Sequence, residues 1–315
     1  MRNLSLLIFL AIIFVSCVND ANNDKNTNNN EADLSDIILK EYSIKPFTDD
    51  FHPYNLTYAI PFSWIGTVDQ DSIPVFIWDE KPYYHPVYTS LYGIYFVEAF
   101  HITGNNRYIE LSEKIAAKLV EKSAESNQEF FFPYNFDYHL VNETMIAPWY
   151  SGMAQGRMLT FFTRLYKATG EAKYLEWADR TFETFLLLQK DSDNWVSYID
   201  FSNYLWFEEY PTGDPLHVLN GFIYGTYGIY DYYMITKNTD ALYLLNAALT
   251  TVEHYIPEYR NPGEISNYDL KYKNTKEDYH YAHINQLNAL YEISGEIKFK
   301  EMADTFKQDF YNKEE

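Results

Sequence analysis

Four strings in the chain gather side chains able to move protons or hold an anion. Glu208 and Glu209 stand together before Tyr210-Pro211, upstream of Val218-Leu219-Asn220-Gly221-Phe222. Gly263-Glu264-Ile265-Ser266-Asn267-Tyr268-Asp269-Leu270-Lys271 is followed by Asp278-Tyr279-His280-Tyr281-Ala282-His283. Earlier, Trp149-Tyr150-Ser151-Gly152-Met153-Ala154-Gln155-Gly156 sets a polar Gln155 among apolar and small residues. Carboxylates and phenols serve as acid/base groups when their surroundings tune them: burial raises a Glu, and a nearby cation lowers a Tyr. A hydrolase needs two acids flanking its bond. Glu208 and Glu209 are the one such pair here, and adjacent loop residues seldom both face one site. His280 and His283 have a spacing that could hold a metal. With no third ligand motif near, capping or hydrogen bonding is their expected role, and neither metal nor cofactor is expected. The single Cys excludes a disulfide framework and a Cys-based zinc site.

These strings lie in or beside long connections of a helical repeat. Thr103-Gly104-Asn105-Asn106-Arg107-Tyr108, Thr169-Gly170-Glu171-Ala172-Lys173-Tyr174, Thr236-Lys237-Asn238-Thr239-Asp240-Ala241-Leu242-Tyr243 and Ser294-Gly295-Glu296-Ile297-Lys298-Phe299 are alike, and their leading Thr or Ser residues are 66, 67 and 58 positions apart. Each is a turn between two helices: a helix end, a capping residue, then a polar start. Repetition at this period is the mark of a repeat architecture. The spacing predicts first helices over 86–103, 149–169, 217–236 and 282–294, and second helices over 106–122, 172–188, 239–256 and 296–311. The first set is apolar on most sides, as in Gly221-Phe222-Ile223-Tyr224-Gly225-Thr226-Tyr227-Gly228-Ile229-Tyr230, and belongs inside. The second set carries Glu and Lys on one face and belongs outside. The expected fold is all-α, an incomplete (α/α) toroid of about four helical hairpins. The connections 123–147, 189–216 and 257–281 share one end, and 50–84 forms a short N-terminal β-hairpin or irregular cover over it. Loops of that length in a compact domain are usually functional.

In their order and spacing, the four strings resemble the C-terminal catalytic domain of the D-glucuronyl C5-epimerase family, over about residues 70–312. That resemblance implies epimerisation of glucuronate to iduronate within a polysaccharide. C5 epimerisation removes a weakly acidic proton beside a carboxylate and returns one from the other face. The carboxylate must be neutralised as it becomes enediolate-like, and two acid/base groups must reach C5. By the family pattern, Glu209 matches the acid/base carboxylate and Tyr279 the opposing tyrosine, with Tyr210 and Tyr268 as further functional tyrosines. Lys271 stands where the family has an Arg that holds the uronate carboxylate; Lys is a point charge without that fork. Tyr83, His85, Trp149, Gln155, Asn220, His280 and His283 complete the candidate substrate contacts. The animal enzymes insert a β-sandwich after the first inner helix; here Tyr83-Tyr84-His85-Pro86 runs straight into the toroid.

The chain start reads as targeting. Met1-Arg2 precedes an apolar run from Leu4 to Val15, too short to span a bilayer but suited to a secretory signal. Phe14-Val15-Ser16-Cys17 resembles a bacterial lipobox, apart from Phe14 in a place that is usually aliphatic. The expectation is a lipoprotein signal over 1–16, Cys17 as lipid anchor, an Asn/Asp-rich tether over 17–38, and the toroid over 39–315. The alternative is an ordinary signal peptide with a leftover Cys. The anchor places the protein outside the bacterial cytoplasm, in the periplasm or on the outer membrane or cell surface, and a homodimer stays open. With 24 Lys+Arg against 45 Asp+Glu the net charge is −21, which becomes −22 after removal of residues 1–16. That balance excludes a nucleic-acid partner, whose phosphates call for basic residues, and disfavours a heavily sulfated substrate. Two rival readings remain: a uronate polysaccharide lyase, which begins with the same proton abstraction, and a non-catalytic surface glycan-binding protein.

Overall fold

A computed structural model describes residues 32–47, 52–126 and 128–311. Cys17, the signal segment and most of the tether lie outside these residues. Among the described residues eight α-helices pair as four hairpins: α1 (Pro86–Thr103) with α2 (Asn106–Glu121), α3 (Gly152–Thr169) with α4 (Ala172–Phe182), α5 (Leu219–Thr236) with α6 (Thr239–Tyr255), and α7 (Glu277–Ser294) with α8 (Ile297–Asp309). Each inner helix stops the same way. Gly104, Gly170 and Gly295 take left-handed φ values of 65°, 72° and 68°, and Lys237 takes 57° at the matching place in the third copy. Its backbone N–H still reaches back to Tyr233 O at 2.9 Å, so the cap geometry survives without glycine.

The inner helices pack in sequence, α1 on α3, α3 on α5 and α5 on α7, to form an incomplete (α/α) toroid. Between α3 and α5 the backbones nearly touch. A Cβ on Gly156 would lie 2.5 Å from Gly225 Cα, and one on Gly228 would lie 2.2 Å from Gly156 O. Buried aromatics from both layers, including Phe96, Phe161, Phe162, Tyr174, Phe182 and Tyr227, fill the space between inner and outer helices.

The long connections carry antiparallel pairs: β3 (Ala124–Ser126) with β4 (Glu129–Phe131), β5 (Tyr138–His139) with β6 (Thr144–Met145), and β7 (Ser197–Ile199) with β8 (Leu205–Phe207). Ahead of α1, β1 (Phe76–Trp78) and β2 (Lys81–Tyr83) form the expected hairpin. The rest of that cover divides differently from expectation. Residues 52–55 pack at the far end, where His52 Nε2 lies 2.8 Å from Asp231 Oδ1 on the C-terminal half of α5. The body also begins before residue 39: Tyr243 donates to Leu34 O at 2.5 Å, Ile38 N donates to Asn203 O at 2.8 Å, and Ile37 is buried. Two helix starts shift by three residues or more as well. Tyr134 and Trp149 exchange backbone hydrogen bonds at 2.8 and 3.2 Å, which keeps 149 extended and starts α3 at Gly152 behind its Ser151 cap. In the other direction α7 begins at Glu277, so Tyr279 rides on its first turn.

Candidate active site

The two neighbouring glutamates point apart. Glu208 is locked by its backbone, which accepts from Gly152 N at 2.7 Å and donates to Val196 O at 2.8 Å. Its carboxylate takes His217 Nδ1 at 2.7 Å and His217 N at 3.2 Å, and the imidazole stacks on Trp206 at 4.1 Å. Glu209 instead faces the first turn of α5. The space is so close that a Cβ on Gly221 would lie 2.2 Å from Glu209 Oε2. That oxygen accepts from the Tyr268 hydroxyl at 3.3 Å, and the Tyr210 and Tyr268 hydroxyls are 3.4 Å apart. Tyr279 packs on Tyr268 with ring centroids 4.4 Å apart, and Tyr138 stacks on Tyr210 at 5.5 Å and 8°. Residues from three connections and α7 thus converge on one carboxylate at the loop end of the toroid.

Burial sets the protonation of this cluster. Glu209 is 9% exposed, and desolvation raises its pKa from 4.5 to about 7 against the opposing hydrogen bonds of Tyr210 and Tyr268 and the charge of Arg157. Tyr210, Tyr268 and Tyr279 are pushed well above the usual phenol value, by burial first and then by the charge of Glu209. The expectation for glutamate holds, but that for a tyrosine lowered by a cation does not. The cluster combines a carboxyl poised near neutrality with phenols that keep their protons.

The supporting residues are rigidly held. Asp269, fully buried, accepts from Tyr272 N at 2.5 Å and from Asn274 Nδ2 at 2.9 Å, which folds 268–274 into a tight turn. His280 and His283 clamp that loop to α7. His280 Nδ1 accepts from Ser266 N at 2.9 Å, its Nε2 lies 2.9 Å from Phe310 O, and His283 Nδ1 lies 2.9 Å from Ser266 Oγ. Burial lowers His283 to about 3, so it is neutral. Both histidines are completely buried and act as positioning groups, which corrects their reading as substrate contacts. Gln155 needs the same correction. It is fully buried, accepts from Phe132 N at 3.0 Å, and donates to Phe130 O at 2.8 Å and Thr184 Oγ1 at 3.0 Å, so it ties β4 to α3.

The other candidates border the cluster. Trp149 donates to Phe136 O at 3.0 Å and stacks on Tyr134 at 3.9 Å, and its ring lies 6.0 Å from that of Tyr210. Tyr83 packs on Phe136 at 5.1 Å. His85 caps α1 by accepting Tyr88 N at 3.1 Å, and burial lowers it to about 3; its ring meets Tyr134 at 4.7 Å. Asn220 is buried beside Glu209's glycine, with its Oδ1 lacking a hydrogen-bond partner. Lys271 is already engaged: its Nζ is 2.9 Å from Glu143 Oε1, 3.0 Å from Asp214 Oδ2 and 2.7 Å from Asp214 O. A cation so compensated is a weaker grip for a substrate carboxylate than the motif suggests. The inner helix α3 also carries Arg157, whose charge reaches Glu209 in the fold. Among the described residues, no three His, Cys, Asp or Glu side chains converge as a metal site.

The architecture and this cluster define an (α/α)-toroid protein with a carboxylate–tyrosine site at its loop end. Residues 125–308, more than half of the chain, match the family described as D-glucuronyl C5-epimerase C-terminus, and the chain belongs to it. The matched region begins at β3, so the α1–α2 hairpin lies outside it. The chain is 30% identical over 191 residues to the uncharacterized protein MJ1128 of Methanocaldococcus jannaschii, covering 59% of this chain and 60% of that one. It is 30% identical over 195 residues to the D-glucuronyl C5-epimerase of Caenorhabditis elegans, covering 55% of this chain and 31% of that one. Two solved structures share the fold at low identity. A sugar epimerase from a ruminal bacterium has a TM-score of 0.55 at 15% identity, covering 79% of this chain and 66% of its own. The cellobiose 2-epimerase of Bacillus thermoamylovorans B4167 has a TM-score of 0.54 at 10% identity, covering 80% and 69%.

Proposed function

We propose that the protein is a carbohydrate epimerase that inverts C5 of uronate residues in a polysaccharide, glucuronate to iduronate, without a cofactor. The observation that carries this reading is a buried Glu209, with a pKa near 7, bonded to a tyrosine and surrounded by two more that keep their protons. Near pH 7 a useful share of Glu209 is ionised, the condition for an efficient general base. In the proposed step Glu209 removes the C5 proton. The C–H electron pair moves onto C5 and the adjacent carboxylate as an enediolate-like species. Tyr279 then gives its hydroxyl proton to C5 from the other face, and the C–H bond re-forms with inverted configuration. A phenol of raised pKa still protonates such a carbanion readily, because the C–H being formed is the far weaker acid. Solvent takes the proton from Glu209 and restores that of Tyr279. Tyr210 and Tyr268 hold the Glu209 carboxylate and line the cleft.

Incubation with uronate polysaccharides in D₂O tests the reading. The expected result is deuterium at C5 of intact chains. Absorbance from an unsaturated uronate would make the protein a lyase, and binding with neither signal would make it a glycan-binding protein. We also propose the lipid anchor at Cys17 and an exported location. Palmitate labelling of the wild type that vanishes in Cys17→Ser supports the anchor, and an unlabelled wild type ends it.

A further inference from the structure

We propose that Arg157 forms an anion subsite inside the ring of inner helices and holds the carboxylate of the residue being turned over. The inference deepens the epimerase reading and rests on it for the identity of the ligand. Arg157 is 3% exposed on α3, beside the Gly156–Gly225 contact that brings α3 against α5. Its guanidinium carbon lies 4.5 Å from the Tyr224 ring and 5.4 Å from the Tyr54 ring. Yet Nε and Nη1 are buried without any hydrogen-bond partner. Leaving charged donors unpaired in the interior is strongly unfavourable, and such groups call for an occupant. The rings hold the cation by its faces and leave Nε and Nη1 in its plane unused, which suits a planar anion meeting the fork.

The surroundings specify that anion. Arg157 feels the hydroxyls of Tyr54, Tyr95, Tyr134 and Tyr224, and its charge reaches Glu209 and His85. The other strong cations near the chain's interior are taken: Arg164 by Glu98, His52 and Asn55, and Lys271 by Glu143 and Asp214. In a uronate the carboxyl carbon is bonded to C5, so the base for C5–H and the cation for the carboxylate must be neighbours. Arg157 stacks on Tyr224, one helical turn along α5 from Gly221, against which Glu209 packs, so base and cation share one stretch of α5. As the C5 proton leaves, negative charge accumulates on the carboxylate, so the subsite is stronger for the enediolate than for the substrate. It also gives a strongly acidic protein one local site for an anionic sugar.

Calorimetric titration with a heparosan oligosaccharide and with its carboxyl-reduced counterpart tests the subsite. Wild type is expected to prefer the uronate form by about 30-fold, the range of a charge-assisted hydrogen bond. Arg157→Gln should bring that preference to within about 3-fold and leave the reduced ligand's affinity unchanged; Arg157→Lys, which keeps charge without the fork, should fall between them. In C5 exchange, Arg157→Lys should lower kcat as well as raise KM. A wild type without preference, or either variant with the full wild-type preference, overturns the subsite. If Arg157→Gln does not fold, the Lys variant alone decides. The two proposals fail separately. Tight, carboxylate-selective binding with no C5 exchange ends the epimerase reading and spares the subsite. Exchange by Arg157→Lys at wild-type KM and kcat ends the subsite and spares the epimerase.

Discussion

Arg157 and Arg164 lie seven residues apart on α3, two turns along the same helix face, with the Tyr54 ring 5.4 and 5.9 Å from their guanidinium carbons. They face opposite situations. Arg164 donates to Glu98, to His52 Nδ1 at 2.6 Å and to Asn55 Oδ1 at 3.0 Å; His52 in turn meets Asp231 at 2.8 Å, and Thr160 donates to Asp231 at 2.7 Å. Burial pushes Asp231 up, but His52 and Arg164 outweigh it and hold the carboxylate below its usual value. Burial lowers His52, so it bridges as the neutral ring. Arg157 Nε and Nη1 lack partners, and Glu209, which feels its charge, is pushed up instead. One helix therefore serves two purposes. Where buried charges are mutually satisfied they close the toroid. Where they are left wanting, the fold keeps a site for something else.

The sharpest test of that contrast removes one charged group from each end. Glu209→Gln should lower C5 exchange by about 10³-fold or more, because no other group can take the proton, while the protein stays folded. Arg164→Met should do the reverse. It strands Glu98, takes a donor from His52 and Asn55, and should cost about 3–5 kcal/mol of stability in denaturant titration, with exchange per folded molecule retained. Loss of exchange in folded Arg164→Met, or full exchange in Glu209→Gln, would break the division between the ends.

The division also predicts opposite responses to pH. Glu209 has a folded pKa of about 7, above the ordinary 4.5, so the native state binds more protons than the unfolded chain between those values. Its ionisation lowers stability as pH rises through that window and fully above 7, by roughly 3 kcal/mol. Glu209→Gln should therefore be more stable than wild type at pH 8 and about equal below pH 4. Activity runs the other way, with kcat/KM rising through pH 7 as the base ionises. Asp231, held low, stabilises the fold above the ordinary carboxylate value and loses that contribution on acidification. A melting difference between Glu209→Gln and wild type that ignores pH would sink the assignment of this group.

Gly221→Ala tests how closely Glu209 is seated. The new methyl would fall 2.2 Å from Oε2, and the carboxylate would have to swing away from Tyr268. The expected cost is about 1–3 kcal/mol in stability and about 10-fold or more in exchange, without change in the far-end network.

What the sequence made legible follows from what each feature depends on. The four hairpins are local: a helix end, a left-handed cap and a polar restart repeat in order, and the third copy shows the pattern tolerating Lys237 at the cap. The union of Glu209, Tyr210, Tyr268 and Tyr279 spans seventy residues of chain and was readable through the resemblance, not through spacing. Gln155, His280 and His283 stood open between two roles, because their side chains suit either a ligand or the backbone. Only the fold reveals Phe130, Phe132, Ser266 and Phe310 as partners that hold them in place. Arg157 shows the converse case. A cation on an apolar helix is visible in sequence, but the absence of a partner is a property of the folded interior.

The smallest expected effect falls on the residue that the motif favoured. Lys271 bridges Glu143 and Asp214 on two different connections, and its ammonium is shared between them. Substituting it removes a partly exposed ion pair on the rim, worth about 1 kcal/mol or less. Lys271→Gln should thus shift stability within that range, change C5 exchange by no more than about 3-fold, and leave the preference for a uronate over its carboxyl-reduced form intact. Both carboxylates compete for the same ammonium, so a substrate carboxylate would have to displace them to gain it. If Lys271→Gln instead loses the uronate preference while Arg157→Gln keeps it, the carboxylate sits at Lys271, and the unpaired arginine is part of the architecture after all.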